Sequence, residues 1–174
     1  MDILHNRFTS GCVCRVFSAV FFACALGPLT AHGETQSIIG VWKPVEYMWM
    51  EGDTKRVIEN PQPGLFIVAG KFYSTTFILS DETRPLEPDG VSREDYTHEQ
   101  LKSMSVPFVS NAGTYTIEKN RFVYDPVVAL NQNFQESGEH KTEFEISSDG
   151  NTLTLIVRDE SGEIRRRSTW LRLE

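Results

Sequence analysis

The chain has 174 residues, and 17 Lys+Arg against 24 Asp+Glu give it a net charge of −7. An acidic balance of this kind excludes recruitment to nucleic acid or to an anionic membrane by bulk charge. With 11 Phe, 5 Tyr and 3 Trp, the composition suits one globular domain rich in aromatic side chains.

Residues 1–33 stand apart from the rest. Arg7 and Arg15 precede the apolar run Val16–Leu26, and Gly27-Pro28 then breaks any helix. Ala31-His32-Gly33 places small residues at the −3 and −1 positions of a cleavage site before Glu34. This is the pattern of a secretory signal peptide. The protein is therefore expected to be exported, periplasmic or extracellular, with residues 34–174 as the mature domain. A membrane anchor is the alternative, but the apolar run supplies only about half of the ~20 residues a span requires. Cys12, Cys14 and Cys24 are all the cysteines of the chain, so the mature domain is expected to hold no disulfide and no thiolate metal site. Lipidation at Cys24 is disfavoured, because Phe21-Phe22-Ala23 departs from the Leu and small residue such a site expects. Cleavage also removes Arg7, Arg15 and Asp2, leaving the mature domain one unit more acidic than the whole chain.

In the mature chain, short β-rich runs alternate with turn chemistry. Gly40–Met50 reads as a strand, Glu51-Gly52-Asp53 as its turn and Lys55–Glu59 as the returning strand. Asn60-Pro61-Gln62-Pro63-Gly64 breaks that ladder. Leu65–Val68 and Lys71–Leu79 form a hairpin around Ala69-Gly70, and an Asp/Pro/Glu-rich loop follows at 81–90. Ser92-Arg93-Glu94-Asp95 and Thr97-His98-Glu99-Gln100 both fit a capping box, which predicts a short helix around 93–105 that Pro107 closes. The remaining strands are Gly113–Glu118, Arg121–Leu130, Thr142–Ser147, Thr152–Arg158 and Ile164–Leu173, most of them joined by tight turns. Along Lys141–Ile146 the period of two is plain: Glu143 and Glu145 face water while Phe144 and Ile146 face inward.

About nine strands with polar outer faces hide their edges most simply by curling closed. The expected fold is all-β: a closed antiparallel meander barrel of about 8–10 strands with one short helix. A membrane-embedded barrel fits less well, since Lys141, Glu143 and Glu145 put charge on the outer face and the chain ends on Leu173-Glu174.

Several stretches carry a resemblance, in this order: Gly40-Val41-Trp42 followed by Glu46-Tyr47, Asn60-Pro61-x-Pro63-Gly64-Leu65, Lys71-Phe72-Tyr73-Ser74, Ala112-Gly113-Thr114-Tyr115-Thr116 and the terminal Trp170-Leu171-Arg172. Together they resemble the bacterial and fungal lipocalin-like domain family over about residues 38–173. The resemblance implies a lipocalin-type barrel with Trp42 across its closed floor and a last-strand arginine over the indole. Arg172 is the first candidate for that arginine and Arg167 the second. Gly40 would let the chain pass close beneath the ring. Trp42 as a plain core residue differs only in lacking the arginine, so Gly40, Trp42 and Arg172 are read as structural.

Groups for catalysis are sparse. His98 and His140 are the only histidines after residue 33, His98 in the first turn of the predicted helix and His140 in the Ser137–His140 loop. Neither has a partner at metal-ligand spacing, and no nucleophile elbow, phosphate loop or dinucleotide fingerprint occurs. No metal or other cofactor is expected. Arg165-Arg166-Arg167 lies on a strand, so its members alternate faces and cannot form one patch.

The aromatic residues say more. Tyr73 and Phe77, Tyr115 with Ile117, and Phe122 and Tyr124 each repeat at period two and so share a face of their strands. Facing inward, Tyr73, Phe77, Tyr115, Phe122 and Tyr124 would line a cavity for one small hydrophobic ligand, or would pack it shut. Two functions follow. One is an exported, non-catalytic binder of a small hydrophobic or amphipathic molecule. The other is an isomerase or cyclase that uses a Tyr or carboxylate in the pocket. A buried acid or histidine beside the tyrosines would separate them.

Overall fold

Turns and prolines decide where each strand stops. The computed structural model describes residues 37–174; the predicted leader, its cleavage site after Gly33 and all three cysteines lie outside the described residues. The strands are β1 (Gly40–Glu51), β2 (Thr54–Glu59), β3 (Leu65–Ala69), β4 (Phe72–Ile78), β5 (Phe108–Glu118), β6 (Arg121–Ala129), β7 (His140–Ile146), β8 (Thr152–Arg158) and β9 (Ile164–Arg172). Two helices join them, α1 (His98–Ser105) and α2 (Gln132–Glu136).

Every neighbouring pair is antiparallel, and β9 returns to pair with β1, which closes the sheet into a barrel of eight strands with β2 as an extra one. Among the described residues no helix is long and apolar enough to cross a membrane.

β2 and β3 run along the same edge of β1. β2 pairs with Glu46–Glu51 and β3 with Gly40–Trp42. They amount to one strand cut in two by Asn60–Gly64. Pro61 and Pro63 lack the N–H a ladder needs, and Asn60 takes a left-handed turn (φ 57°) with its N–H donating to Val45 O at 3.2 Å. Opposite this break, the β1–β9 register slips between Pro44 and Glu46. A proline inside a barrel strand is tolerated at such a bulge, where no ladder donor is required.

The bulge has a consequence for the interior. Trp42 is buried below it and Tyr47 above it, so the inward phase of β1 switches from even to odd numbers. Strict alternation from Trp42 would have sent the carboxylate of Glu46 inward. Instead Glu46 takes an ion pair with Arg167 at 2.8 Å.

Three local features differ from expectation. The predicted 93–105 helix is a 3-10 turn at Arg93–Asp95 followed, after extended Tyr96 and Thr97, by α1. Only the second capping box forms: Thr97 Oγ1 accepts from Gln100 N at 3.2 Å and Gln100 Oε1 accepts from Thr97 N at 2.8 Å, whereas Ser92 makes no side-chain cap. β5 begins at Phe108 rather than Gly113, because β4 offers Phe72–Ile78 as a ladder for Ser110 and Asn111 as well. Among the described residues there are two α-helices rather than one; α2 starts where Asn131 Oδ1 accepts from Phe134 N at 3.3 Å.

Candidate functional site: the open end of the barrel

The two ends of the barrel are built differently. At one end Trp42 has no exposed surface and its Nε1 donates to Ile38 O at 2.9 Å. The Arg172 guanidinium lies 4.0 Å from the centre of the Trp42 ring, a geometry worth roughly 1–2 kcal/mol when partly desolvated. The same guanidinium donates to Gly150 O at 2.7 Å, Ile39 O at 2.8 Å and Ser37 O at 2.7 Å. It thus ties the β7–β8 turn and the segment before β1 across the indole. Gly40, at φ 147°, has no room for a side chain: a Cβ there would strike Glu174 O and Arg172 Nη1. This end is shut.

The other end opens into a cavity of about 630 Å³. Its deep wall is aromatic. Tyr47 stacks on Phe77 with centroids 4.7 Å apart, and both meet Trp170 edge-on at 5.7 Å. Phe66 packs tilted on Trp170 at 5.8 Å and edge-on to Phe122 at 5.6 Å. Trp49, Leu79, Phe108 and Leu130 line the mouth, joined by Ser105 at the end of α1 and by Val106. Phe134 of α2 also reaches the lining, stacked on His140 at 3.8 Å.

Of the five aromatic residues predicted to line the cavity, Tyr73, Phe77, Phe122 and Tyr124 do so. Tyr115 does not. It stacks on Phe122 at 4.7 Å and its hydroxyl donates to Gly70 O on the β3–β4 turn at 2.9 Å, so it braces the closed end. The interior is therefore neither fully packed nor lined in the expected way throughout. Tyr47, Trp49, Phe66, Phe108, Phe134 and Trp170 are additional aromatic members; the period of two in Tyr47 and Trp49 was visible in sequence, but their inward phase depends on the bulge at Val45.

Polar groups on this wall are few. The hydroxyls of Tyr47 and Tyr73 and Asn111 Oδ1 are buried with no hydrogen-bond partner among the described residues. Burial raises both phenols well above their ordinary value of 10.0, and nearby Tyr124 and Asp125 push Tyr73 further the same way. Both are neutral at physiological pH: donors, not bases. The Tyr124 hydroxyl lies 3.3 Å from Thr142 Oγ1.

No Asp, Glu or His is among the described residues that line the cavity. His140 is the first residue of β7 rather than part of the preceding loop. It stacks behind Tyr124 at 5.5 Å, and its Nε2 lies 2.8 Å from Phe134 O. His98 sits in the first turn of α1. Among the described residues no cluster of His, Cys, Asp or Glu could hold a metal ion.

The closed up-and-down circuit of eight strands decides the architecture. It is a lipocalin-like barrel. No family model matches the chain, and no curated protein does. Among solved structures, the chain is similar to a lipocalin-like protein from Bacteroides uniformis ATCC 8492, at 13% identity over 78% of this chain and 97% of that one, with a TM-score of 0.40. It is likewise similar to an uncharacterized protein from Bacteroides eggerthii DSM 20697, at 8% identity over 78% and 99%, with a TM-score of 0.41. The lipocalin-like description rests on the strand circuit itself.

Proposed function

We propose that this chain is an exported, non-catalytic binder of a small hydrophobic or amphipathic molecule, held in the open end of the barrel. One observation carries the reading: the cavity, at about 630 Å³, falls in the ~300–1,000 Å³ range of small-molecule sites and has an apolar wall with few polar groups. Tyr73, Phe77, Phe122 and Tyr124 are the proposed contacts from the original set, with Tyr47 and Trp49 added. The unpartnered hydroxyls of Tyr47 and Tyr73 favour a ligand that offers a hydrogen-bond acceptor.

An isomerase or cyclase reading would need a base beside the tyrosines. Neutral phenols do not supply one, and the nearest imidazole, His140, faces Phe134 O rather than the cavity. Binding is the better reading.

Native mass spectrometry of the protein purified from its own source tests the proposal. A small molecule released from the protein, and rebinding at one-to-one stoichiometry, is the expected result. A mass equal to the bare chain, together with no uptake of apolar molecules, would count against it. Export rests on the leader pattern in residues 1–33 and is tested by N-terminal sequencing. A start near Glu34 is expected, and an acylated Cys24 at the N-terminus would contradict it.

A further inference from the structure

We infer that Arg166 is an anion-binding residue at the mouth of the cavity, and that the ligand is an amphiphile carrying one anionic head group on an apolar tail. The inference rests on the binding reading above and adds the polarity of the ligand and the direction in which it lies.

Register places Arg166 on the inward face. It pairs across to Trp49 on β1 and to Val157 on β8, one step up the strand from inward Ser168 and Trp170. All of these residues line the cavity, Arg166 at its exposed rim. Of the flanking arginines, Arg165 faces Asp159 at 4.0 Å, and Arg167, which also reaches the cavity lining, has its charge paired with Glu46 at 2.8 Å. The Arg166 side chain has no hydrogen bond or ion pair among the described residues. On β1, Glu51 lies two residues beyond Trp49 and is held by Arg56 at 3.0 Å. Arg84, also without a carboxylate partner, lies over the Phe108 ring at 5.0 Å and adds positive charge to the rim. An acidic protein therefore presents unneutralised positive charge at the entrance of an apolar chamber.

Guanidinium is planar, weakly hydrated and matched to two oxygens of one anion. At the edge of an apolar cavity it can hold a head group in contact with water while the tail lies inside. From Arg166 to Trp170 the strand runs about 13 Å, which sets the depth available to a tail before it meets the aromatic wall of Trp170, Tyr47 and Phe77. The head group's chemistry is that of a carboxylate or a phosphate monoester.

The test is isothermal titration of the full mature chain with decanoate, decyl phosphate, decan-1-ol and decyltrimethylammonium. Wild type is expected to bind decanoate or decyl phosphate roughly tenfold more tightly than decan-1-ol, as one exposed charge-assisted contact allows, and the cation most weakly. Added salt should narrow the gap. Arg166→Gln should lose that roughly tenfold preference, whereas Arg165→Gln should keep it. Arg166 has no partner to lose, so the thermal melt of Arg166→Gln should match wild type. Preference for decanoate over decyl phosphate assigns the carboxylate, and the reverse assigns the phosphate. If all four probes bind alike, or Arg166→Gln keeps the anion preference, the anion site is refuted while the apolar cavity stands. If none binds, the binding reading falls with it.

Discussion

The two ends of this barrel make opposite use of the same residue types. At the closed end a tryptophan and an arginine satisfy each other: Trp42 is fully buried, and Arg172 covers its ring while donating to three backbone carbonyls. At the open end Trp49 and Arg166 are neighbours in register, yet the guanidinium has no partner and the indole lines a cavity. Saturated groups hold a fold together. Unsatisfied ones, kept at a rim or on a cavity wall, are available to something else. Mutations should therefore divide by end, with stability affected at one and binding at the other.

The largest effect should come from Trp42→Ala, which should lower unfolding free energy by about 3–5 kcal/mol in urea melts, as aromatic truncations in packed cores do. Arg172→Ala should cost about 1–2 kcal/mol, because the indole loses its cover and three carbonyls, of which that of Gly150 is half-buried and those of Ile39 and Ser37 are exposed, lose a charged donor. Arg172→Lys should rescue little, since an ammonium cannot reach three carbonyls and lie flat on the ring. The double mutant should lose less stability than the two single losses added together, because the side chains touch. Simple additivity in the same melts would break the pairing of Trp42 with Arg172.

At the open end, Tyr47→Phe and Tyr73→Phe should change stability by less than about 0.5 kcal/mol or raise it slightly at neutral pH, since each removes a buried hydroxyl that has no partner. Both phenols are raised in the folded chain, chiefly by burial. Above their ordinary value of 10.0 the unfolded chain loses protons that the folded chain keeps, so stability present below that pH falls as the pH rises beyond it. Thermal melts from pH 9 upward should show this decline, and the double Phe variant should flatten it. A wild-type curve as flat as the variant's would remove the buried, neutral phenols from the account.

Much of this was legible along the chain because it is local. Period-two alternation and turn residues reveal most strands, and Thr97-x-x-Gln100 marks α1. The closed end was anticipated through the resemblance carried by Gly40-Val41-Trp42 and Trp170-Leu171-Arg172, which implied an arginine of the last strand over the indole. The open end was less legible because it depends on phase and on long-range register. Val45 shifts the inward face of β1, bringing in Tyr47 and Trp49. Tyr115 has the right alternation, but a hydrogen bond to Gly70, far away in sequence, takes it to the other end. Arg166 sits in a run of three arginines whose alternation is plain, but only pairing with β1 and β8 says which one faces in. Helix α2 has five residues, too few to show a helical period.

The central claim, that one end binds and the other only closes, is tested most directly by titrating the neutral fluorescent probe N-phenyl-1-naphthylamine into wild type and two tryptophan variants. Thr75→Trp fills the cavity wall between Tyr73 and Phe77, whereas Ile117→Trp adds the same bulk at an exposed position away from the cavity. Wild type and Ile117→Trp should bind one probe per chain in the micromolar range once ordering costs are subtracted, and Thr75→Trp should bind none while melting as a folded protein. No saturable binding to wild type, or equal binding to both variants, would contradict the claim.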